Sequence, residues 1–523
     1  MRKNRLLACL LAMLLLVSAI PASAEGASEP LTLKMYVGNP GFNQSGWGTD
    51  IVSTTIIEKT GINLEFEISP EAENQKLQLL IASGDLPDII LVGGKSVPGV
   101  ALVENDRVWS LDELSEKYDP DYINSEFIVG NRKYLESPID GKIYVVPSEF
   151  TDRTKLDDGV FLMPAPGYYY RKDINDAIGA PKLETLDDLA ANARLAYDQD
   201  PMSLTHPIFL LEAAASAEYS GVNVMYYAMG GKGIYYEENG KLESRVRDPL
   251  YKETLMFING LVNEGLINPS DFTDLNPQQD VINAEGGYYA AVGPYWRALV
   301  PHDQMPLTIE GAEIDVVRPL KQPGVEKPYA PVTNLNGWDG LFISKTTQYP
   351  EEAFNFVKFL QSDEGQLLVT AGIENEHWAW GGPENNWVTL IGEAKEKMTT
   401  SWNDWVGFLG TYTYQWTVRN YYDSALCWGL AIDDPFKGKV YEYENCGTDA
   451  GPYENIDPAP SSDEGVIRVK YFELWKSYIA RICTANSGDE ASKLYDEMVA
   501  AFDQLGLAKL EDAWTANYQA KNA

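Results

Sequence analysis

The amino-acid sequence predicts an α/β fold, and three observations near its start support that prediction. Residues 31–37 and 62–68 both alternate apolar and polar side chains, which is the period of a half-buried strand. Residues 51–60 lie between them and have a helical pattern. Residues 88–92 form a short apolar run, which is typical of a buried parallel strand. Alternation of strands and helices in this order predicts a largely parallel sheet with right-handed crossovers.

Short-range signals set the limits of these elements. Asp50 is a suitable N-cap for the first helix, and Gly61 is a suitable end for it. A second helical pattern runs from residue 71 to residue 84. In sheets of this kind ligands bind beyond the carboxyl ends of the strands. The loops at 39–48 and 93–96 are therefore candidate ligand-binding loops.

Further elements follow along the chain. Thr185 is predicted to cap a helix, residues 287–292 read as a strand, and residues 341–344 read as another. Pro350 is predicted to open a helix with one apolar stripe. Residues 376–422 are rich in tryptophan, and a local density of aromatic rings favours a sugar ligand.

The first 24 residues have the pattern of a cleaved signal peptide. Basic residues precede an apolar run at 6–20, and Ala22 and Ala24 provide a small-residue cleavage site. The chain is therefore expected to cross the membrane and to work at the cell surface or in the periplasm. Cys9 lies within a sequence like a lipoprotein box, but only eight residues precede it, so a lipid anchor there is not expected.

The predicted mature chain of 499 residues is long enough for two or more lobes. Its net charge is about −39, because the signal segment removes three positive charges from the total of −36. Such a charge argues against nucleic acid and anionic membranes as partners. No later segment has the length and apolarity of a membrane span. We expect a monomer without a cofactor. Three cysteines remain, so one disulfide at most can form, and whether Cys427 pairs with Cys446 stays open.

Three ordered segments resemble the extracellular solute-binding proteins, family 1, of carbohydrate ABC transporters. Residues 76–90 look like the family's helix and Ser-Gly-Asp-x-Pro-Asp turn into a buried strand. Residues 169–189 are similar to its entry into the second lobe. Residues 340–365 look like the strand and helix that return the chain to the first lobe, and residues 372–378 resemble a sequence of the larger members.

This resemblance implies a two-lobed periplasmic-binding-protein-like (type II) fold with a multiply crossed hinge. It also implies a function, the capture of a mono- or oligosaccharide in the interlobe cleft and its delivery to the permease subunits of an ABC importer. The resulting division is a signal peptide at 1–24, lobe one at 25–150 and 336–385, and lobe two at 151–335 and 386–523.

A sugar site needs aromatic rings for stacking and polar side chains for the hydroxyl groups. Tyr295 and Trp296 lie in a turn that resembles the Gly-Pro-aromatic turn of maltose-binding proteins, although core packing is an alternative for both. Asp88 is a candidate that could instead hold its own turn, and for Trp378 fold packing is an alternative. The other candidate ligand-binding residues are Trp47, Asn43, Ser96, Trp338, Asp339 and Arg297.

A metal is not expected. Some larger members of the family carry a calcium loop, but the corresponding residues 198–203 hold only two carboxylates, too few for a calcium shell. The three histidines are scattered. The main alternative to a binding protein is a secreted glycoside hydrolase, which would need two carboxylates across a cleft. A flytrap protein for a peptide and a surface adhesin are further alternatives. Gly-x-Ser-x-Gly and His-Glu-x-x-His motifs are absent, and enzymatic activity is not expected.

Overall fold

The computed structural model describes residues 29–522, apart from 71–74, 159–165, 201–202, 216–219, 274–275, 331–335, 445–450, 454–455 and 460–461. The predicted signal peptide, with Cys9, and also Cys446 lie outside the described residues. A mixed α/β architecture with two main sheets confirms the predicted fold class. In the described part of the chain, no helix has the length and apolarity needed to cross a membrane.

The first sheet has five strands in the order β2-β1-β3-β11-β4. β1, β2 and β3 run parallel, and β11 runs antiparallel to both of its neighbours. β1 and β2 match the predicted strands residue for residue. The strands are β1 (Leu31–Val37), β2 (Ile62–Ile68), β3 (Ile89–Gly93), β4 (Val108–Trp109) and β11 (Asp339–Ser344).

Helices cover both faces of this sheet, and the predicted capping signals are confirmed. The Asp50 carboxylate accepts a hydrogen bond from Ser53 N, and Gly61 ends the first helix in the left-handed region. The helices are α1 (Ile51–Thr60), α2 (Gln75–Ser83), α3 (Val97–Glu104), α4 (Leu111–Tyr118), α5 (Glu126–Leu135), α12 (Pro350–Gln361) and α13 (Asp363–Ala371).

The second sheet has the order β10-β5-β9-β6, in which only β6 and β9 pair in parallel. Thr185 and Asp188 form a complete capping box at the start of α7, as the sequence predicted for that helix. The strands are β5 (Pro166–Arg171), β6 (Ile208–Leu210), β9 (Ala290–Pro294) and β10 (Ile314–Val317). The helices between them are α6 (Lys172–Ala177), α7 (Leu186–Gln199), α8 (Gly221–Ala228), α9 (Pro249–Asn263), α10 (Asn276–Glu285) and α11 (Leu299–Thr308).

Two hairpins and a group of carboxyl-terminal helices complete the structure. The hairpin strands are β7 (Tyr235–Glu238) with β8 (Lys241–Ser244) and β12 (Trp378–Gly381) with β13 (Trp387–Leu390). The helices are α14 (Gly392–Thr400), α15 (Trp402–Leu409), α16 (Asn420–Ala431), α17 (Pro435–Glu444), α18 (Asp463–Cys483), α19 (Gly488–Leu505) and α20 (Leu507–Asn522). Short 3₁₀ helices occupy Arg153–Asp158, Arg245–Arg247, Pro269–Phe272, Tyr295–Ala298 and Gly451–Tyr453.

The core packing bears on the division of the chain between lobes. Trp475 and Trp514 lie in the core built on the second sheet, in agreement with the expected place of the carboxyl-terminal helices. In contrast, Val388, Trp405 and Leu426 pack in the core of the first sheet, although they follow the expected boundary at residue 385. These contacts argue for extending lobe one to about residue 426, and the division as a whole stays a prediction.

Three chain segments run side by side where the chain leaves the first sheet. Phe150 forms an antiparallel bridge with Asn336 and a parallel bridge with Arg419. Glu149 N donates to Val418 O at 2.6 Å, and Asn420 N donates to Phe150 O at 3.0 Å. Two of these segments, at 150 and 336, coincide with lobe boundaries that the sequence predicted. The segment at 419 takes the place of the boundary predicted at 385 and is called the third crossing segment below, and the crossings themselves stay a prediction.

Candidate functional site

A cavity of about 290 Å³ opens beyond the carboxyl ends of β1 and β3, where the parallel strands predict a ligand site. Its wall combines aromatic rings, amides and carboxylates. The lining residues are Asn39, Gly41, Phe42, Asn43, Leu91, Ser148, Glu149, Trp338, Asp339, Tyr412, Thr413, Gln415 and Trp416. Three of the predicted site residues, Asn43, Trp338 and Asp339, are brought together in this wall.

Trp338 and Asp339 are held by the neighbouring segment at Ser148. Trp338 N donates to Ser148 O at 3.2 Å, and Ser148 N donates to Asp339 O at 2.7 Å. Gly337 makes this close approach possible, because a Cβ at that position would lie 2.3 Å from Ser148 O. The main chain is therefore fixed, while the Trp338 side chain remains 57% exposed and available to a ligand.

Asn43 stands at the rim of the cavity in the loop after β1. Its Oδ1 accepts a hydrogen bond from Ser45 N at 3.0 Å, which shapes the loop. The neighbouring Phe42 ring lies 5.3 Å from Phe66 and 6.0 Å from Trp416, centroid to centroid. This aromatic packing joins the loop to the buried Trp416 and gives the cavity a firm apolar side.

Asp339 was predicted from the sequence, but the second acidic residue of the wall, Glu149, and its partner Asp423 were not. Burial and then the charge of Asp423 raise the pKa of Glu149 well above its ordinary range. Tyr412 OH donates a short hydrogen bond to Asp423 Oδ1. Burial also raises the pKa of Asp339. Glu149 lies far in sequence from Tyr412 and Asp423, and no local pattern in the sequence connects it with them.

The candidates from the second lobe are not part of the cavity wall. Tyr295 is 0% exposed, and its hydroxyl group donates to Val317 O at 2.5 Å, so it is a core residue. Arg297 pairs with Glu212 at 3.1 Å and with Asp280, which neutralise its charge. Trp296 is half-buried next to them, and ligand contact by Trp296 stays a prediction.

Two candidates near β3 support the backbone instead of facing the cavity. Asp88 directly precedes the amino end of β3, whereas the cavity lies beyond the carboxyl end of this strand. Its carboxylate accepts from Lys34 N at 2.8 Å and from Thr347 Oγ1 at 2.6 Å. Ser96 caps α3, accepting from Gly99 N, and donates to Gly93 O at 2.6 Å.

Two aromatic candidates lie in or against the first core. The Trp47 indole N–H donates to Asn63 Oδ1 at 2.9 Å, and its ring packs edge-on against Phe66 and Tyr414. Trp378 is 1% exposed, and its indole N–H donates to Gly372 O at 2.9 Å. Trp47 therefore braces the loop behind the cavity, and Trp378 has no surface to offer to a ligand.

In the described part of the chain, one group of side chains could supply metal ligands, His302, Asp303 and Asp434. His302 Nε2 lies 3.3 Å from Asp434 Oδ2. Burial acts to raise the pKa of the Asp434 carboxyl group. The hydrogen bond and charge of His302, together with Lys437, outweigh burial and lower this pKa to about 2. The Lys437 amine already sits 3.5 Å from Asp434 and 3.9 Å from Asp303. The acidic charge is therefore balanced by side chains of the protein, and the expectation of no metal stays a prediction.

Comparison with known proteins decides the family. The family model described as bacterial extracellular solute-binding protein matches residues 49–367, which is more than half of the chain. The chain belongs to this family. Lipoprotein LipO of Bacillus subtilis (strain 168) is 24% identical over 339 residues, which are 62% of this chain and 64% of LipO. The chain thus matches somewhat less than two thirds of that relative.

Solved structures of solute-binding proteins share the fold over almost the whole chain. The ABC-transporter substrate binding protein FusA of S. pneumoniae, in complex with kestose, has a TM-score of 0.68 at 17% identity. The match covers 94% of this chain and 99% of FusA. The alginate-binding protein AlgQ2, without calcium ion, has a TM-score of 0.64 at 18% identity, with 94% and 98% of the two chains covered. These matches confirm the predicted two-lobed fold.

Proposed function

We propose that this solute-binding protein is the substrate-binding component of an ABC importer that captures a mono- or oligosaccharide outside the cytoplasmic membrane. The single observation that carries the proposal is the composition of the cavity wall. Trp338 offers an exposed indole ring, and Asp339 and Glu149 place carboxyl groups beside it. A ring for the C–H face of a sugar and oxygen acceptors for its hydroxyl groups are the two requirements of such a site.

The comparisons support the carbohydrate assignment by analogy. FusA was solved with kestose, and AlgQ2 is named for alginate, so two structural neighbours with the same fold bind carbohydrates. Binding energy would come from closing the two lobes on a ligand that touches both. The permease subunits of the importer would recognise the closed form. The protein acts by binding and release, and the sugar leaves it chemically unchanged.

A thermal-shift screen of the purified protein against oligosaccharides, peptides and polyamines tests the proposal. A ligand at one hundred times its dissociation constant adds about 2.7 kcal/mol to the free energy of unfolding. We expect a shift with one class of oligosaccharide, and recovery of that sugar intact by mass spectrometry. A shift with peptides alone would refute the carbohydrate assignment. Cleavage of the sugar would instead support the glycoside hydrolase alternative.

A further inference from the structure

Two cavity residues are held in a backbone conformation that side chains disfavour. Glu149 and Tyr412 have φ angles of 57° and 59°, in the left-handed region. Strained residues of this kind persist where the surrounding structure fixes them, and they concentrate at functional sites. Both residues line the same cavity, and both interact with the same carboxyl group, that of Asp423. Among the described residues, two of the eight non-glycine residues with positive φ thus lie at this cavity and interact with Asp423.

The contacts around this group hold it firmly. Glu149 N donates to Val418 O at 2.6 Å, so its backbone is tied to the third crossing segment. The Tyr412 hydroxyl group donates to Asp423, and the Tyr412 ring packs 4.7 Å from the ring of Trp402. Glu149 and Tyr412 both line the cavity, and Tyr412 binds the carboxyl group of Asp423, which is not among the lining residues.

The carboxyl groups of Glu149 and Asp423 interact electrostatically and are poorly hydrated, so they do not both ionise readily. Burial raises the pKa of Glu149, and the negative charge of Asp423 raises it further. Burial also raises the pKa of Asp423, against the effect of the Tyr412 hydrogen bond. The pair therefore retains a proton more readily than exposed carboxyl groups do. Glu149 is the member of the pair that lines the cavity, and a retained proton there would let it donate to a sugar hydroxyl group as well as accept from one.

The charged side chains that line this cavity are Glu149 and Asp339, and both are acidic. Arg297 and Arg419 are both paired with other carboxylates. Arg297, the candidate for an anionic ligand, is held by Glu212 and Asp280. Arg419, on the third crossing segment, lies 3.1 Å from Asp152 and 3.2 Å from Asp363. A ligand carboxylate at this wall would meet the charge of Asp339 and the charge that Glu149 and Asp423 share, in a partly desolvated site.

We infer that the wall formed by Glu149, Asp339 and Tyr412, with Asp423 hydrogen-bonded to Tyr412, selects neutral, hydroxyl-rich oligosaccharides and rejects chains of the same length that carry uronic acids. The inference rests on the proposed function, because it names the class of sugar for the same cavity. It separates this protein in specificity from a neighbour of the same fold that is named for alginate.

Isothermal titration at pH 7 with matched sugars tests the inference. The probes are neutral trisaccharides (maltotriose, cellotriose, xylotriose and kestose) and uronate trisaccharides (trigalacturonate and trimannuronate). We expect the tightest neutral probe to bind at least tenfold more tightly than either uronate. Higher salt should narrow this ratio, because ions screen the repulsion.

Variants assign the selectivity to the wall. Glu149→Lys should shift the ratio of the two affinities by at least tenfold toward the uronates. The control Glu285→Lys changes an exposed acid at the end of α10 and should leave the ratio within twofold. Circular dichroism checks the folding of each variant. If Glu149→Lys does not fold, Asp339→Asn takes its place, because it removes one charge with little change of shape. This variant should reduce the ratio of neutral to uronate affinity severalfold.

The outcomes separate the two claims. A wild-type protein that binds a uronate as tightly as its neutral counterpart would overturn the inference and leave the proposed function standing. An unchanged ratio in the folded wall variants would also overturn it. If no sugar of either class binds, or if only peptides or polyamines bind, the proposed function fails and the inference fails with it.

Discussion

Replacement of Trp338 by alanine tests the stacking part of the site. Its side chain is 57% exposed, so about 140 Å² of a tryptophan surface of about 250 Å² faces solvent. A sugar ring on one face would cover about half of this area, roughly 70 Å². At about 25 cal/mol per Å², the lost burial is about 1.8 kcal/mol, or about a twentyfold increase in Kd.

Isothermal titration with the best neutral trisaccharide measures this change. Because the ring is exposed, the free energy of unfolding should change by less than about 0.5 kcal/mol. Tyr349→Ala is the matched control, since Tyr349 is also exposed and follows the opposite end of β11. An affinity of Trp338→Ala within twofold of the wild type would refute stacking on this ring. If Tyr349→Ala lost as much affinity as Trp338→Ala, the assignment of ligand stacking to Trp338 in the cavity would be refuted.

Three further predictions concern the surroundings of the site. Gly167→Ala should lower the free energy of unfolding by about 1–3 kcal/mol in urea titrations, because its Cβ would meet Tyr295 ring atoms at 2.0–2.4 Å; an unchanged midpoint would contradict this packing. Arg297→Met should lower stability by about 3 kcal/mol, because the buried Glu212 loses its partner. Sugar affinity in this variant should remain within twofold of the wild-type affinity. A tenfold loss would indicate that Arg297 contacts the ligand. The folded-state pKa of Glu149 is raised, so the folded protein binds more protons than the unfolded chain and its stability falls as pH rises above about 4.5. Glu149→Gln should therefore reduce the decline in Tm between pH 5 and pH 7. An unaltered decline would contradict the raised pKa of Glu149 in the folded protein.

The sequence predicted the elements whose signals are local. Asp50 and Gly61 mark the two ends of α1 within a few residues of it, and the capping box at Thr185 is contained in four positions. Such signals depend on hydrogen bonds between near neighbours, so they survive any tertiary arrangement. Trp338 and Asp339 were also identifiable, because they lie at the start of the strand that returns to the first sheet, with Trp338 directly before β11 and Asp339 as its first residue.

The features of the site that the sequence could not reveal depend on packing between distant parts of the chain. Tyr295 was a candidate because aromatic rings after such a turn can face a cleft, but Gly167 on the neighbouring strand makes room for its ring and buries it. Trp378 is covered for a comparable reason, since the first core closes around it. Glu149 and Asp423 are far apart in sequence and meet only because the segments at 150 and 419 pair. No periodicity in the sequence carries that information.

Uptake by the producing bacterium tests the central claim most directly. The measurement follows the initial uptake rate of the labelled oligosaccharide identified by titration, supplied at low micromolar concentration, with and without the gene for this protein. The account predicts that deletion abolishes uptake, that the wild-type gene restores it, and that the gene for Trp338→Ala restores it only at about twentyfold higher sugar concentration. Unchanged uptake in the deletion strain would contradict the assignment of this protein to sugar import.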